Sequence, residues 1–188
     1  MRTADERAGA LLAGLTYLRI ALTPAVMALV LLDRPWTAVP AATLFAAAAL
    51  TDFLDGRLAR RWARTSALGN YLDTTADKLL VAGALFALVA VDRCSPWLAA
   101  LIVGREVMIL GLRGAVSASD GTVVTPSWMG KAKANAQFVA ITLAIWRPEV
   151  VLGGRYLDAW AMLVAAVVTV ASAGDYLRRF VGRLSRHR

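Results

Sequence analysis

At 188 residues the chain has room for one domain. Its 59% hydrophobic content and mean hydropathy of +0.58 argue against a soluble helical globule, which would lack the polar surface to cover so many apolar segments. A net charge of +8 would suit an anionic partner, but no pattern resembles a soluble nucleic-acid recognition module, and lipid is the expected partner.

Six apolar segments follow in order, near 15–32, 36–51, 70–91, 97–118, 128–146 and 157–177. Several approach the ~20 residues that cross a bilayer, although Arg19, Asp73, Asp77, Lys78, Arg105 and Arg113 interrupt them. The first segment lacks a small-residue cleavage signature and reads as a spanning helix, not a removed signal. The expected fold is therefore an all-α integral membrane protein with six transmembrane helices. Residues 1–188 form one membrane-embedded domain, with a short segment at 1–10 and a basic tail at 179–188. Pro24 and Pro40 fall inside proposed helices, where neighbours can satisfy the freed carbonyls. Short connections predict antiparallel neighbours. Ala42, Ala46, Ala49, Gly104 and Gly111 are candidate points of close helix approach.

Charge gives the orientation. Arg2 and Arg7 precede the first segment, Arg57, Arg60, Arg61 and Arg64 follow the second, and Lys131 and Lys133 follow the fourth. Arg178, Arg179, Arg183, Arg186 and Arg188 follow the sixth, whereas the opposite connections hold only Arg34, Arg93, Arg147 and Arg155. The positive-inside bias places both termini in the cytoplasm. Trp36, Trp97, Trp128, Trp146 and Trp160 lie near helix ends, with Trp62 just past the second, as an interfacial belt requires. The single cysteine, Cys94, cannot form an internal disulfide and reads as structural. The single histidine, His187, sits in the basic tail, so proton transfer falls to other groups.

The chemistry gathers in TDFLDGRLARRWARTSALGNYLDTTADK, residues 51–78. On a helix, Asp52, Asp55, Gly56, Ala59 and Arg60 share an arc of roughly 140°. Gly69, Asp73 and Asp77 fall at i, i+4 and i+8 on one narrow face. Two antiparallel helices would aim the four carboxylates into one pocket at the cytoplasmic boundary. Four aspartates at bilayer depth would cost on the order of 10 kcal/mol, so the cluster calls for compensating charge. An all-oxygen donor set without histidine or thiol favours the hard ions Mg2+ or Mn2+. A pair of ions ~3.5–4 Å apart is a common clamp for displacement at phosphorus. Gly56 and Ala59 leave room for a diphosphate, and Arg60 adds a bidentate donor. A divalent-cation transporter would also use carboxylates, but these lie with arginines at one face, not at the midplane.

The run Asp52-x-x-Asp55-Gly56-x-x-Ala59-Arg60, eight residues, then Gly69-x-x-x-Asp73-x-x-x-Asp77 resembles the signature of the CDP-alcohol phosphatidyltransferases at all eight defining positions. The resemblance implies a six-helix bacterial cell-membrane enzyme, a homodimer with its site facing the cytoplasm. It implies two metal ions held by Asp52, Asp55 and Asp73, with Asp77 contributing to the metal site and acting as general base. Gly56, Ala59, Arg60 and Gly69, together with Asp52, Asp55 and Asp73, would bind CDP-diacylglycerol. An acceptor hydroxyl would then attack the lipid-side phosphorus and CMP would leave.

Outside the signature, LTYLRI (15–20), ADKLLVAGAL (76–85), GREVMILGLR (104–113) and GKAKANAQ (130–137) are most similar to the phosphatidylglycerophosphate synthases of that family, which implies sn-glycerol 3-phosphate as acceptor. Arg105 and Arg113, about 80° apart on one helix, with Lys131 and Lys133, are candidate cations for the acceptor phosphate. On an ideal helix Lys131 and Lys133 are some 200° apart, so both meet one ligand only if the chain is not yet helical there. Glu106 either pairs with one of these cations or faces headgroups. Ala10 and Ala13 replace the Asn-x-x-Thr pattern usual in these synthases, and Thr74 replaces a proline. Phosphatidylglycerol, as in a cardiolipin synthase, and inositol phosphate stay open as alternative acceptors.

Overall fold

Alanine- and leucine-rich segments favour helix, and the chain folds almost wholly that way. The computed structural model describes the backbone of residues 4–62, 67–120 and 128–184, and the side chains of 14–51, 72–115 and 128–179. Among the described residues six helices form: α1 (Ala4–Leu31), α2 (Pro35–Trp62), α3 (Ala67–Ala90), α4 (Pro96–Asp120), α5 (Trp128–Trp146) and α6 (Leu157–Leu184). Their contacts divide the chain into two compact units, Met1–Arg93 and Cys94–Arg188.

In the first unit α1 is the central element and packs along both α2 and α3, while α2 and α3 touch sparingly among the described residues. Three contacts fix the register of α1 against α3. Arg19 meets Asp73, Thr23 and Met27 face Gly83, and Asp33 pairs with Arg93. Both sequences ascend together, so α1 and α3 run parallel. At Gly83 an added Cβ would lie 2.8 Å from Thr23 Cγ2 and 2.9 Å from Met27 Sδ. Glycine is what allows the two helices to approach there. Gly104 and Gly111, expected to serve such approach, have nothing within 4 Å of an added Cβ. Ala42 and Ala49 are buried and Ala46 is exposed.

Local signals set the helix ends. Asp33 (φ 45°) and Asp92 (φ 56°) take the left-handed conformation that ends α1 and α3. The Arg93 N–H reaches back to the Leu88 carbonyl at 2.8 Å, closing α3 in a Schellman arrangement. Pro35 opens α2, and Thr37 Oγ1 accepts from the Arg34 N–H at 3.3 Å, which forms half of a capping box. Pro24 and Pro40 both lie inside helices.

In the second unit α6 packs along α5 and, less extensively, against α4. Between α5 and α6 the chain forms a hairpin absent from the sequence reading, β1 (Val151–Leu152) paired with β2 (Arg155–Tyr156). Gly153 and Gly154, at φ 57° and 77°, supply the two left-handed residues of its tight turn. The Trp160 indole N–H caps the Leu152 carbonyl at 2.9 Å. Cys94 opens this unit. It is buried, and desolvation pushes its thiol up to about 11, so it is a packing group rather than a nucleophile.

Polarity is arranged inside out. Arg19, Glu106 and Lys133 are buried, while Tyr17, Phe86, Val107, Val139, Val164, Val167 and Val170 are exposed along the helices. Trp36, Trp97, Trp128, Trp146 and Trp160 are exposed near helix ends. Apolar exteriors on this scale mark a surface that meets lipid or another protein. Among the described residues, Gly14–Leu31 and Leu157–Arg179 are long and apolar enough to cross a membrane. Pro35–Thr51 is a shorter apolar stretch. The chain is accordingly membrane-associated.

Candidate functional site

In the first unit, α3 carries Asp73 and Asp77 one turn apart, flanking the buried Ala76 and followed by Leu80. Among the described residues, the Asp73 carboxylate receives two hydrogen bonds, both on one oxygen. Arg19 Nη1 donates to Oδ1 at 2.8 Å, and Thr16 Oγ1 donates to the same atom at 3.4 Å. The Arg19 side chain is fully buried, whereas that of Asp73 is 34% exposed. The carboxylate therefore spans from a dry interhelical contact to the open side of α3. A one-turn staple on α1 supports it, because Thr23 Oγ1 donates to the Arg19 carbonyl at 3.0 Å.

Asp77 is arranged differently. Its Oδ2 accepts from Lys78 Nζ at 2.9 Å, while its Oδ1 is buried without a partner. A buried carboxylate oxygen left unbonded carries a desolvation cost that a ligand or a proton would remove. This oxygen, the exposed side of Asp73 and the absence of nitrogen or sulfur ligands fit a hard divalent cation. Among the described residues no three such ligands converge, since Asp52 and Asp55 have side chains outside them. Their backbone lies on the last turns of α2, together with Gly56, Ala59 and Arg60. Gly69 lies in the first turn of α3. The side-chain placement expected for these residues falls outside the described set, as does His187.

In the second unit, two cations converge on one buried carboxylate. Glu106 Oε1 accepts from Lys133 Nζ and, at 3.3 Å, from Arg105 Nη1. Arg105 Nη2 donates to Ser172 Oγ at 2.8 Å, tying α4 to α6, and its Nε has no partner. Among the described residues, one carboxylate thus serves two cations, and Arg105 keeps a spare donor. Gln137 Nε2 donates to Thr169 Oγ1 at 3.0 Å, a further polar link from α5 to α6. Arg113 lies 5.7 Å from the centre of the Tyr176 ring. Its Nε and the Tyr176 hydroxyl are both buried without partners.

The two lysines separate. Helix α5 begins at Trp128, so both Lys131 and Lys133 are already helical, and the condition for their convergence is not met. Lys133 turns inward to Glu106 and Lys131 is exposed. Of the alternatives for Glu106, the structure selects pairing with the cations. Sequence reasoning missed the part played by Arg19, although a lone arginine inside an apolar run was its visible signal. Thr16 and Ser172 had no such signal, because small hydroxyls are ordinary in membrane helices.

A family model described as CDP-alcohol phosphatidyltransferase matches residues 12–171. The chain is 40% identical over 167 residues to a CDP-diacylglycerol–glycerol-3-phosphate 3-phosphatidyltransferase of Pectobacterium atrosepticum, covering 87% of this chain and 90% of that protein. It is 38% identical, with the same coverage, to the proteins of that name from Sodalis glossinidius and Escherichia coli K12.

Proposed function

The chain belongs to the CDP-alcohol phosphatidyltransferase family, and on that premise we propose that it transfers the phosphatidyl group of CDP-diacylglycerol to sn-glycerol 3-phosphate, giving phosphatidylglycerophosphate and CMP. The observation that carries the chemistry is the pair Asp73 and Asp77, adjacent on α3, with the Asp77 Oδ1 buried and unbonded. The choice of acceptor is supported by the activity named for relatives that align over nearly the whole chain.

Asp52, Asp55, Asp73 and Asp77 would hold two ions of Mg2+ or Mn2+, which when bound offset the charge of the diphosphate. Gly56, Ala59, Arg60 and Gly69 would line the cytidine diphosphate. Arg105, Arg113 and Lys133 would take the phosphate of the acceptor, a dianion when fully ionised, which suits two cations that share Glu106. Lys131, on the exposed side of α5, would meet anionic lipid headgroups instead. Asp77 would accept the proton of the attacking hydroxyl. The new bond forms from that oxygen to the lipid-side phosphorus, the bond to CMP breaks, and CMP leaves with its electron pair. Positioning and charge stabilisation supply most of the rate in such transfers.

This activity sits in a multi-pass topology of six spans, as one domain of residues 1–188 in the bacterial cell membrane, with both termini and the site on the cytoplasmic side. Helices of 19 to 28 residues support it, since at ~1.5 Å per residue even the shortest nearly matches the hydrocarbon thickness. A homodimer surrounded by lipid completes the assembly.

The test is CMP release by the purified protein from CDP-diacylglycerol, across glycerol 3-phosphate, inositol phosphate, phosphatidylglycerol and serine. Release is expected with glycerol 3-phosphate, and only with a divalent cation present. Preference for phosphatidylglycerol or inositol phosphate would replace the acceptor, and activity surviving a chelator would remove the metal reading.

A further inference from the structure

The α1 contact with Asp73 is unlike an ordinary interhelical ion pair. Both donors, Arg19 Nη1 at 2.8 Å and Thr16 Oγ1 at 3.4 Å, converge on Oδ1, and no described residue bonds Oδ2. Arg19 has a fully buried side chain, and its carbonyl is tied to Thr23, which abuts the close approach of α1 at Gly83. Arginine is the side chain suited to this task, because its planar guanidinium imposes a direction that a rotating ammonium does not. Burying it on an apolar helix is costly, and a stability role is a weak reason to keep it, since well-packed apolar residues commonly replace buried ion pairs without loss.

We infer that Arg19, supported by Thr16, is a positioning residue for the metal site: it occupies Asp73 Oδ1 and so fixes the carboxylate with Oδ2 presented to the cation. This rests on the reading of Asp73 as a metal ligand. Groups that orient a ligating side chain in this way typically contribute 10–100-fold to metal affinity. Charge alone predicts the opposite sign. A buried guanidinium beside the site repels a divalent cation, so removing it would tighten binding if orientation did not matter.

The sign is therefore the test. Mn2+ binding to the purified full-length protein in detergent is read from the electron paramagnetic resonance signal of free Mn2+, and folding is monitored by thermal unfolding. Arg19→Met is expected to weaken Mn2+ binding about 10–100-fold. In an Asp73→Asn background the same substitution should change binding no further, because the inferred effect of Arg19 on the cation passes through that carboxylate. Unchanged or tighter binding in folded Arg19→Met overturns the inference while leaving Asp73 as a ligand. If Asp73→Asn itself binds Mn2+ as the unaltered protein does, the ligand reading fails first and the inference with it. Should Arg19→Met not fold, Arg19→Lys keeps the charge and loses the planar donor. Weaker Mn2+ binding by about tenfold is then expected, and binding equal to or tighter than the unaltered protein overturns the inference.

Discussion

The two units handle buried charge in opposite ways. In Met1–Arg93 the described cluster pairs one arginine with Asp73 and leaves a carboxylate oxygen of Asp77 unbonded. In Cys94–Arg188 the cluster sets two cations on Glu106 and leaves donors unbonded on Arg105 and Arg113. The Asp77 oxygen suits a cation and the Arg105 and Arg113 donors suit an anion, although Arg19 Nε is also unbonded in the first unit and Asp158 Oδ1 and Asp175 Oδ2 in the second.

The largest expected effect breaks the first half of that contrast. Asp77→Asn, assayed by CMP release at saturating substrates, should lower turnover by about 10²–10⁴-fold, the usual contribution of a positioned base. Near-normal turnover would remove Asp77 as the base. In the second unit, Glu106→Ala deprives the buried Lys133 and the half-buried Arg105 of their shared carboxylate. Thermal or denaturant unfolding should register a loss of about 3–5 kcal/mol, since breaking a buried pair strands a charge.

Packing gives a smaller effect and sharpens the contrast in another way. Gly83→Val should destabilise the first unit by about 1–3 kcal/mol in the same unfolding assay, because the added atoms collide with Thr23 and Met27. The neighbouring β-branched Thr23 has little freedom to move aside. Smallest of all is Lys131→Ala. With its side chain exposed, it should shift stability by no more than about 0.5 kcal/mol. It should also leave the KM for glycerol 3-phosphate within about twofold, whereas Lys133→Met should raise that KM by about tenfold or more through loss of a charge-assisted contact. Equal effects from the two lysines would show that both reach the acceptor.

Much of this was legible in the primary structure for a local reason. Angular position on a helix follows from spacing alone, so Asp73 and Asp77 could be placed on one face of α3, and Lys131 and Lys133 on opposite faces of α5. The hairpin at Gly153 and Gly154 also had a local signal, since a Gly-Gly pair suits a tight hairpin turn. Partner choice was harder. Many small residues could have marked close approach, and the chain uses Gly83, which lies on the face of α3 that meets α1. Gly104 and Gly111 are open.

By itself, then, the sequence determined the helical segments, the order and spacing of the carboxylates, and the family signature that contains them. Those properties depend on residues a few positions apart. Tertiary structure decided that α1 rather than α2 is the main support of α3, that Arg19 holds one oxygen of Asp73, and that Lys133 shares Glu106 with Arg105. These outcomes depend on which buried charges find partners across helices. Desolvation makes an unpaired charge so costly that partnership across helices, rather than spacing along one, fixes the final arrangement.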